Sequence, residues 1–288
     1  MSSCNSRRVL LQSDFDRFAR LSHDDNPIHV DPGFAATSHF GATVAHGMLL
    51  YSCICKSLCE QIGPGVVQLE QILMFPNATY VGDRLSITLE QTAGENGVLE
   101  LNTVIQKVGA GGTVVPTATG QCRVIAAGTL SPMISLQETG NDTSDTELYG
   151  LKLGMNACSA RIFGHADLEE YGDLSGDRNP IFRDDDEARL RGFAGRIVPW
   201  PLLAGMFSDL LGTRLPGRGT GWMKQQLRYP AAAYPGEELV ASVTITRLRA
   251  EKELVNLATR VCAGERVVCD GEALVLVRNL EDKTGAIL

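Results

Sequence analysis

The chain has 288 residues, 44% of them hydrophobic and 21% charged, which are ordinary globular values and exclude disordered and collagen-like classes. No run of eighteen apolar residues predicts a membrane span. A formal charge of -8 leaves no basic field for nucleic acid or an anionic membrane.

The length predicts about two domains, and an internal repeat divides the chain. Ser22-His23-Asp24-Asp25-Asn26-Pro27-Ile28-His29 recurs 153 positions later as Ser175-Gly176-Asp177-Arg178-Asn179-Pro180-Ile181-Phe182. The offset holds from Asp14/Asp167 to Leu50/Leu203, then grows by one, so that Phe75-Pro76 matches Tyr229-Pro230. One fold is used twice.

In chain order, each half opens on a short apolar run, Arg8–Leu11 or Ala160–Phe163. A short helix follows. In the first copy Ser13 is the predicted N-cap, and Phe15, Phe18 and Leu21 share one face; the second has Leu168, Tyr171 and Leu174. A D-x-N-P loop comes next, where Pro27 and Pro180 exclude a helix interior. Long apolar helices are predicted over Met48–Cys59 and Leu202–Leu211. Alternating runs then predict antiparallel strands at Leu85–Gln91, Val98–Lys107, Leu239–Arg247, Leu254–Cys262 and Glu272–Val277. The pattern is α+β: one central helix per half against later strands. The expected domains are 1–126 and 150–280, joined by a polar linker over 127–149.

Eight cysteines are present, but Cys53, Cys55 and Cys59 follow C-x-C-x3-C, not the paired spacing of a zinc ribbon. They read as small apolar residues of a buried helix. No metal and no cofactor is expected, because no ligand cluster or phosphate loop appears. The N-terminus lacks an apolar signal segment and the C-terminal Gly285-Ala286-Ile287-Leu288 carries no targeting address, so a cytoplasmic location is expected.

The two copies differ where chemistry would sit. His29 is replaced by Phe182, and His46-Gly47-Met48 by Pro199-Trp200-Pro201. Asp24 and His29 can converge across the proline turn, and a carboxylate and an imidazole sharing one water can move its proton. Gly47 opens the buried helix, where unpaired N–H groups favour developing negative charge. Each residue alone has a plainer reading: Asp24 as a loop cap, His29 as a satisfied loop histidine, His46 as a backbone partner at the helix start. Asn26 and Asn179 occur in both copies, which suits turn stabilisation.

Asp24-x-Asn26-Pro27-Ile28-His29 followed by His46-Gly47-Met48 resembles the MaoC-like (R)-specific enoyl-CoA hydratases and dehydratases. The resemblance implies two tandem hot-dog domains, each an antiparallel sheet wrapped around a central helix, forming a pseudo-dimer with both helices on one face. It implies hydration of trans-2-enoyl-CoA to the (3R)-hydroxyacyl thioester, or the reverse dehydration. Asp24 and His29 would activate water from an exposed loop, and the Gly47 N–H would hold the thioester oxygen. Asn26, His46 and Met48 would contact substrate, and Phe182 and Trp200 would line the acyl pocket from the degenerate half. Three features depart from the family pattern: His23 where glycine often precedes the acid, Cys55 where serine is frequent (the second half has Ser208), and a catalytic first half. Two alternatives are a hot-dog acyl-CoA thioesterase and a non-catalytic acyl-thioester binding protein. The expected partner is an acyl-CoA, with acyl carrier protein disfavoured by the acidic chain; a homodimer is possible on sequence grounds.

Overall fold

In the computed structural model, residues 5–109, 112–126 and 147–281 are described. The expected linker lies outside the described residues over 127–146, as do residues 282–288.

Strand β1 (Asn5–Val9) leads to helix α1 (Gln12–Ser22), whose Phe15, Phe18 and Leu21 are buried as their spacing predicts. Its N-cap is Leu11, not Ser13: the Asp14 carboxylate turns back to accept the Leu11 N–H at 2.9 Å, so the helix starts earlier than expected. Short helices α2 (Pro27–Val30) and α3 (Pro32–Thr37) follow, and then the central helix α4 (Gly47–Gln61). Ten of the residues of α4 are buried, on every side, which is how a helix enclosed by its own sheet must look. Strands β2 (Val67–Met74), β3 (Arg84–Glu95), β4 (Val98–Val108) and β5 (Val114–Ile125) wrap it.

The second half repeats this plan. It has β6 (Asn156–Ile162), α5 (His165–Ser175), a 3-10 turn at Pro180–Phe182, α6 (Asp185–Leu190) and the central α7 (Trp200–Asp209). A π-helical turn, Leu210–Arg214, extends α7, and β7 (Gly221–Arg228), β8 (Glu238–Arg249), β9 (Leu254–Ala263) and β10 (Arg266–Leu276) complete the half.

The ten strands of the described residues form one antiparallel sheet in the order β1-β3-β4-β5-β2-β7-β10-β9-β8-β6. The order reads the same from either edge once the halves are exchanged, so a pseudo-twofold axis passes between β2 and β7. There Glu70 faces Arg228 and Met74 faces Lys224. This is the tandem hot-dog arrangement. Alternation puts Leu85, Ile87 and Leu89 of β3, and Leu239, Ala241 and Val243 of β8, on the helix side. At Gly120 a side chain would collide with the Ile72 carbonyl of the neighbouring strand, so only glycine lets β5 approach β2 this closely.

The halves are tied by equivalent residues. Arg17 of α1 pairs with its repeat mate Glu170 of α5 at 2.7 Å, beside the axis. Arg8 donates to the C-terminal carbonyls of α5, Leu174 at 2.6 Å and Ser175 at 3.1 Å, while its mate Arg161 reaches the Arg20 carbonyl of α1. Helices α4 and α7 pack against one another on the same face of the sheet. The seven described cysteines are free, and Cys53 and Cys55 are buried in α4. Among the described residues no helix is long and apolar enough to cross a membrane.

Candidate active site

The loop after α1 is built by its own polar side chains. Ser22 Oγ receives the Asp24 N–H, Asp24 Oδ1 accepts the Asn26 N–H at 3.2 Å, and Asn26 Oδ1 caps α2 through the Ile28 N–H. Asn26 Nδ2 then donates to the Gly212 carbonyl at 3.0 Å, in the π-turn of the other half. The loop is buried, contrary to the exposed loop that was expected: Asp24 is 1% and His29 8% exposed, because the second half covers it. Asn26 thus has the turn role that its presence in both copies implied, and its bond to Gly212 adds a contact with the other half.

His29 Nδ1–H donates to the Val44 carbonyl at 2.7 Å. That bond makes Nδ1 the donor and turns Nε2 toward Asp24, 3.7 Å from its Oδ2. His46 stacks on His29 with ring centroids 3.7 Å apart, and its Nε2–H donates to the Asp24 main-chain carbonyl at 3.0 Å. Burial first, then the neighbouring His29, pushes His46 down to about 3, so it is neutral at ordinary pH. Burial would raise the Asp24 carboxyl, but the His29 imidazole and hydrogen bonds from Ser208 and Asn26 outweigh it and hold Asp24 below the usual carboxylate range.

Ser208 is the residue that the second half contributes directly. Its hydroxyl donates to Asp24 Oδ2 at 2.5 Å across the axis. Its repeat mate Cys55 instead turns its thiol to Gln68 Oε1.

A cavity of about 320 Å³ opens over this group. Asp24, Asn26, His29 and Gly47 line it from the first half, and Ser208, Leu211, Gly212, Trp222 and Leu276 from the second. Gly47 is the first residue of α4, so its N–H has no acceptor within the helix. The Phe75 ring lies directly over it; a Cβ at position 47 would stand 2.7 Å from Phe75 Cζ.

Three sequence expectations need correction. Met48 is fully buried in the core and does not line the cavity, because its side chain points from α4 away from the Gly47 side. Phe182 and Trp200 do not line it either. They pack edge to face, 5.0 Å between centroids, and with Tyr171 and Tyr229 they fill the space that the second copy's own site would occupy. His46 does not line the cavity but supports His29 from behind. In the filled copy Asp177 persists, receiving Tyr171 Oη–H at 3.1 Å and the Asn179 N–H at 3.0 Å. Burial raises its carboxyl to about 6.

Asp24, His29 and His46 could hold a metal by proximity, with ligand atoms within 4.8 Å. The hydrogen-bonding fits poorly, since His46 Nε2 is committed to a carbonyl and its Nδ1 is sealed in the core without a partner. The arrangement suits an acid–base pair with a neutral support.

Comparison with known proteins agrees with this geometry. The MaoC-like domain model matches residues 3–112. An (R)-specific enoyl-CoA hydratase of Rhodospirillum rubrum is 37% identical over 127 residues, 44% of this chain and 88% of that protein. Among solved structures, a MaoC-like dehydratase superposes with a TM-score of 0.74 at 17% identity over 96% of both chains. A Mycobacterium tuberculosis protein described as a double hot-dog gives 0.67 at 15%, again over 96% of both. Sequence, fold and the disposition of the D-x-N-P-x-H loop together place the chain in the MaoC-like domain family.

Proposed function

We propose that the protein catalyses the reversible hydration of trans-2-enoyl-CoA thioesters to (3R)-hydroxyacyl-CoA, with residues 1–126 carrying the chemistry and 150–280 completing the pocket. The observation that supports this most is the disposition of Asp24 Oδ2 and His29 Nε2, 3.7 Å apart on the wall of one cavity beside the Gly47 N–H. At that separation the two groups are too far apart for a direct hydrogen bond, yet one water can reach both.

The water oxygen bonds to C3 while the C2=C3 π electrons move toward the thioester oxygen. The Gly47 N–H, at the positive end of α4, stabilises the resulting enolate. The proton lost by the water passes to the Asp24–His29 pair and is delivered to C2, restoring the carbonyl. One compact pair serves one face, so addition is syn; the (R)-specific name of the Rhodospirillum rubrum relative supports the face that gives the (3R) isomer. Dehydration is the same path reversed. His46 keeps the His29 ring in place without competing for the proton, and Ser208 keeps Asp24 ionised.

The relative's name supports a CoA thioester, and the acidic chain disfavours a negatively charged carrier protein as the donor. The test is hydration of an enoyl-CoA, followed by loss of enoyl absorbance and chiral analysis, in wild type, Asp24→Asn and His29→Ala. Both variants should lose activity by about 10²–10⁴-fold, the usual worth of a positioned acid or base. A (3S) product would overturn the assignment, and release of free CoA thiol would point to the thioesterase instead.

A further inference from the structure

Resting on the hydratase reading of this site, we infer that the pocket selects short, uncharged acyl chains of about four to eight carbons. Two observations carry this. The first is size. The cavity is about 320 Å³, and at about 30 Å³ for each water-sized group it holds roughly ten non-hydrogen atoms. The reacting head alone (thioester carbon, oxygen and sulfur, with C2 and C3) takes five of these. About five remain for the rest of the chain, fewer once the pantetheine arm enters the mouth.

The burial of the lining shows where the chain must stop. His39, Pro76, Asn77 and Met223 are exposed and mark the mouth, whereas Val44, Leu50 and Leu211 are buried and close the inner end. Leu50 is on α4, one turn beyond Gly47, and Leu211 is in the π-turn that also receives Asn26. Each half therefore supplies part of the stop.

The second observation is charge. None of the described residues lining the cavity is a lysine or arginine, and Asp24 is the one carboxylate among them. A thioester bearing a terminal carboxylate would meet no lysine or arginine, only uncharged donors such as Thr79 Oγ1, Thr220 Oγ1 and Trp222 Nε1, and would share the cavity with Asp24, which is costly in both desolvation and repulsion.

The experiment uses the full chain with trans-2-enoyl-CoAs of four, six, eight, twelve and sixteen carbons, and with the five-carbon pair trans-2-pentenoyl-CoA and its ω-carboxylate, glutaconyl-CoA. The expected kcat/KM is greatest at four to eight carbons and about 100-fold or more lower at twelve and sixteen. Glutaconyl-CoA should fall about 100-fold or more below pentenoyl-CoA. Leu50→Ala and Leu211→Ala should each raise the twelve-to-six-carbon ratio of kcat/KM by about tenfold; should either fail to fold, the wild-type series still decides. Twelve or sixteen carbons within about threefold of the best substrate, or equal use of glutaconyl-CoA, would overturn the inference. Inactivity on every enoyl-CoA would instead overturn the hydratase reading.

Discussion

Ser208→Ala removes one hydroxyl and tests whether the second half tunes the chemistry of the first. The Ser208 hydroxyl and Asp24 Oδ2 are 2.5 Å apart and both residues are buried at the cavity wall. Hydrogen bonds to charged groups contribute about 1.5–3 kcal/mol. Losing this one should raise the Asp24 carboxyl by about one to two pH units, at about 1.4 kcal/mol per unit. A carboxylate with a raised pKa is lost at higher pH, so the acidic limb of kcat/KM should move upward by that amount. At pH values well above the limb, Ser208→Ala should lose much less activity than Asp24→Asn. Its stability near neutral pH should also fall, because the depressed Asp24 pKa contributes stability that is present above the unfolded value and lost as pH falls through the folded one. The assay is the hydration rate across pH 4–9, with circular dichroism to confirm folding. An unmoved limb, with the same fractional loss at every pH, would refute the reasoning and reduce Ser208 to packing.

Asp177→Asn should stabilise the protein. The raised Asp177 pKa means that folding stability falls as pH rises from 3.8 to about 6, a penalty of about 3 kcal/mol at neutral pH. Asparagine can keep the bond from the Asn179 N–H and donate to the Tyr171 oxygen, so Tm at pH 8 should rise by about 5–10 °C, with the advantage gone below pH 3.8. Gly47→Ala should lower kcat/KM at least about tenfold, because the added Cβ meets the Phe75 ring; Phe75→Leu in the same chain should restore part of the loss if that collision is the cause. His46→Gln should reduce the rate across the pH range without moving either limb, since His46 stays neutral; a displaced limb would show that it titrates in the mechanism.

Much of the architecture was legible because duplication wrote it twice. The equal spacing of Asp24/Asp177 and Asn26/Asn179 marked the loops, and the continuous apolar runs marked the central helices. The central strands β2 and β7 were harder to see, because their helix-facing positions include the buried glutamines Gln71 and Gln225, each bonded to a threonine of its own half. Within the site, Asp24, His29 and Gly47 were readable as a local motif and do meet on one cavity. Ser208 and Gly212 were not readable as partners of the loop, since those contacts span 184 and 186 residues and depend on the axis between halves. Phe182 and Trp200 misled for the same reason: their type suggested an apolar wall, but the axis turns them toward their own copy's vacated site.

The bonds that cross the axis give duplication a genetic consequence. In a symmetric dimer of identical chains, a change at one position alters both sites, so no residue can be optimised for support alone. Covalent tandem linkage removes that restriction. Position 182 is phenylalanine where position 29 is histidine, and position 208 is serine where position 55 is cysteine. The supporting copy could therefore drift in composition without loss of turnover, provided that it preserved the hydroxyl and the carbonyl it lends to its neighbour.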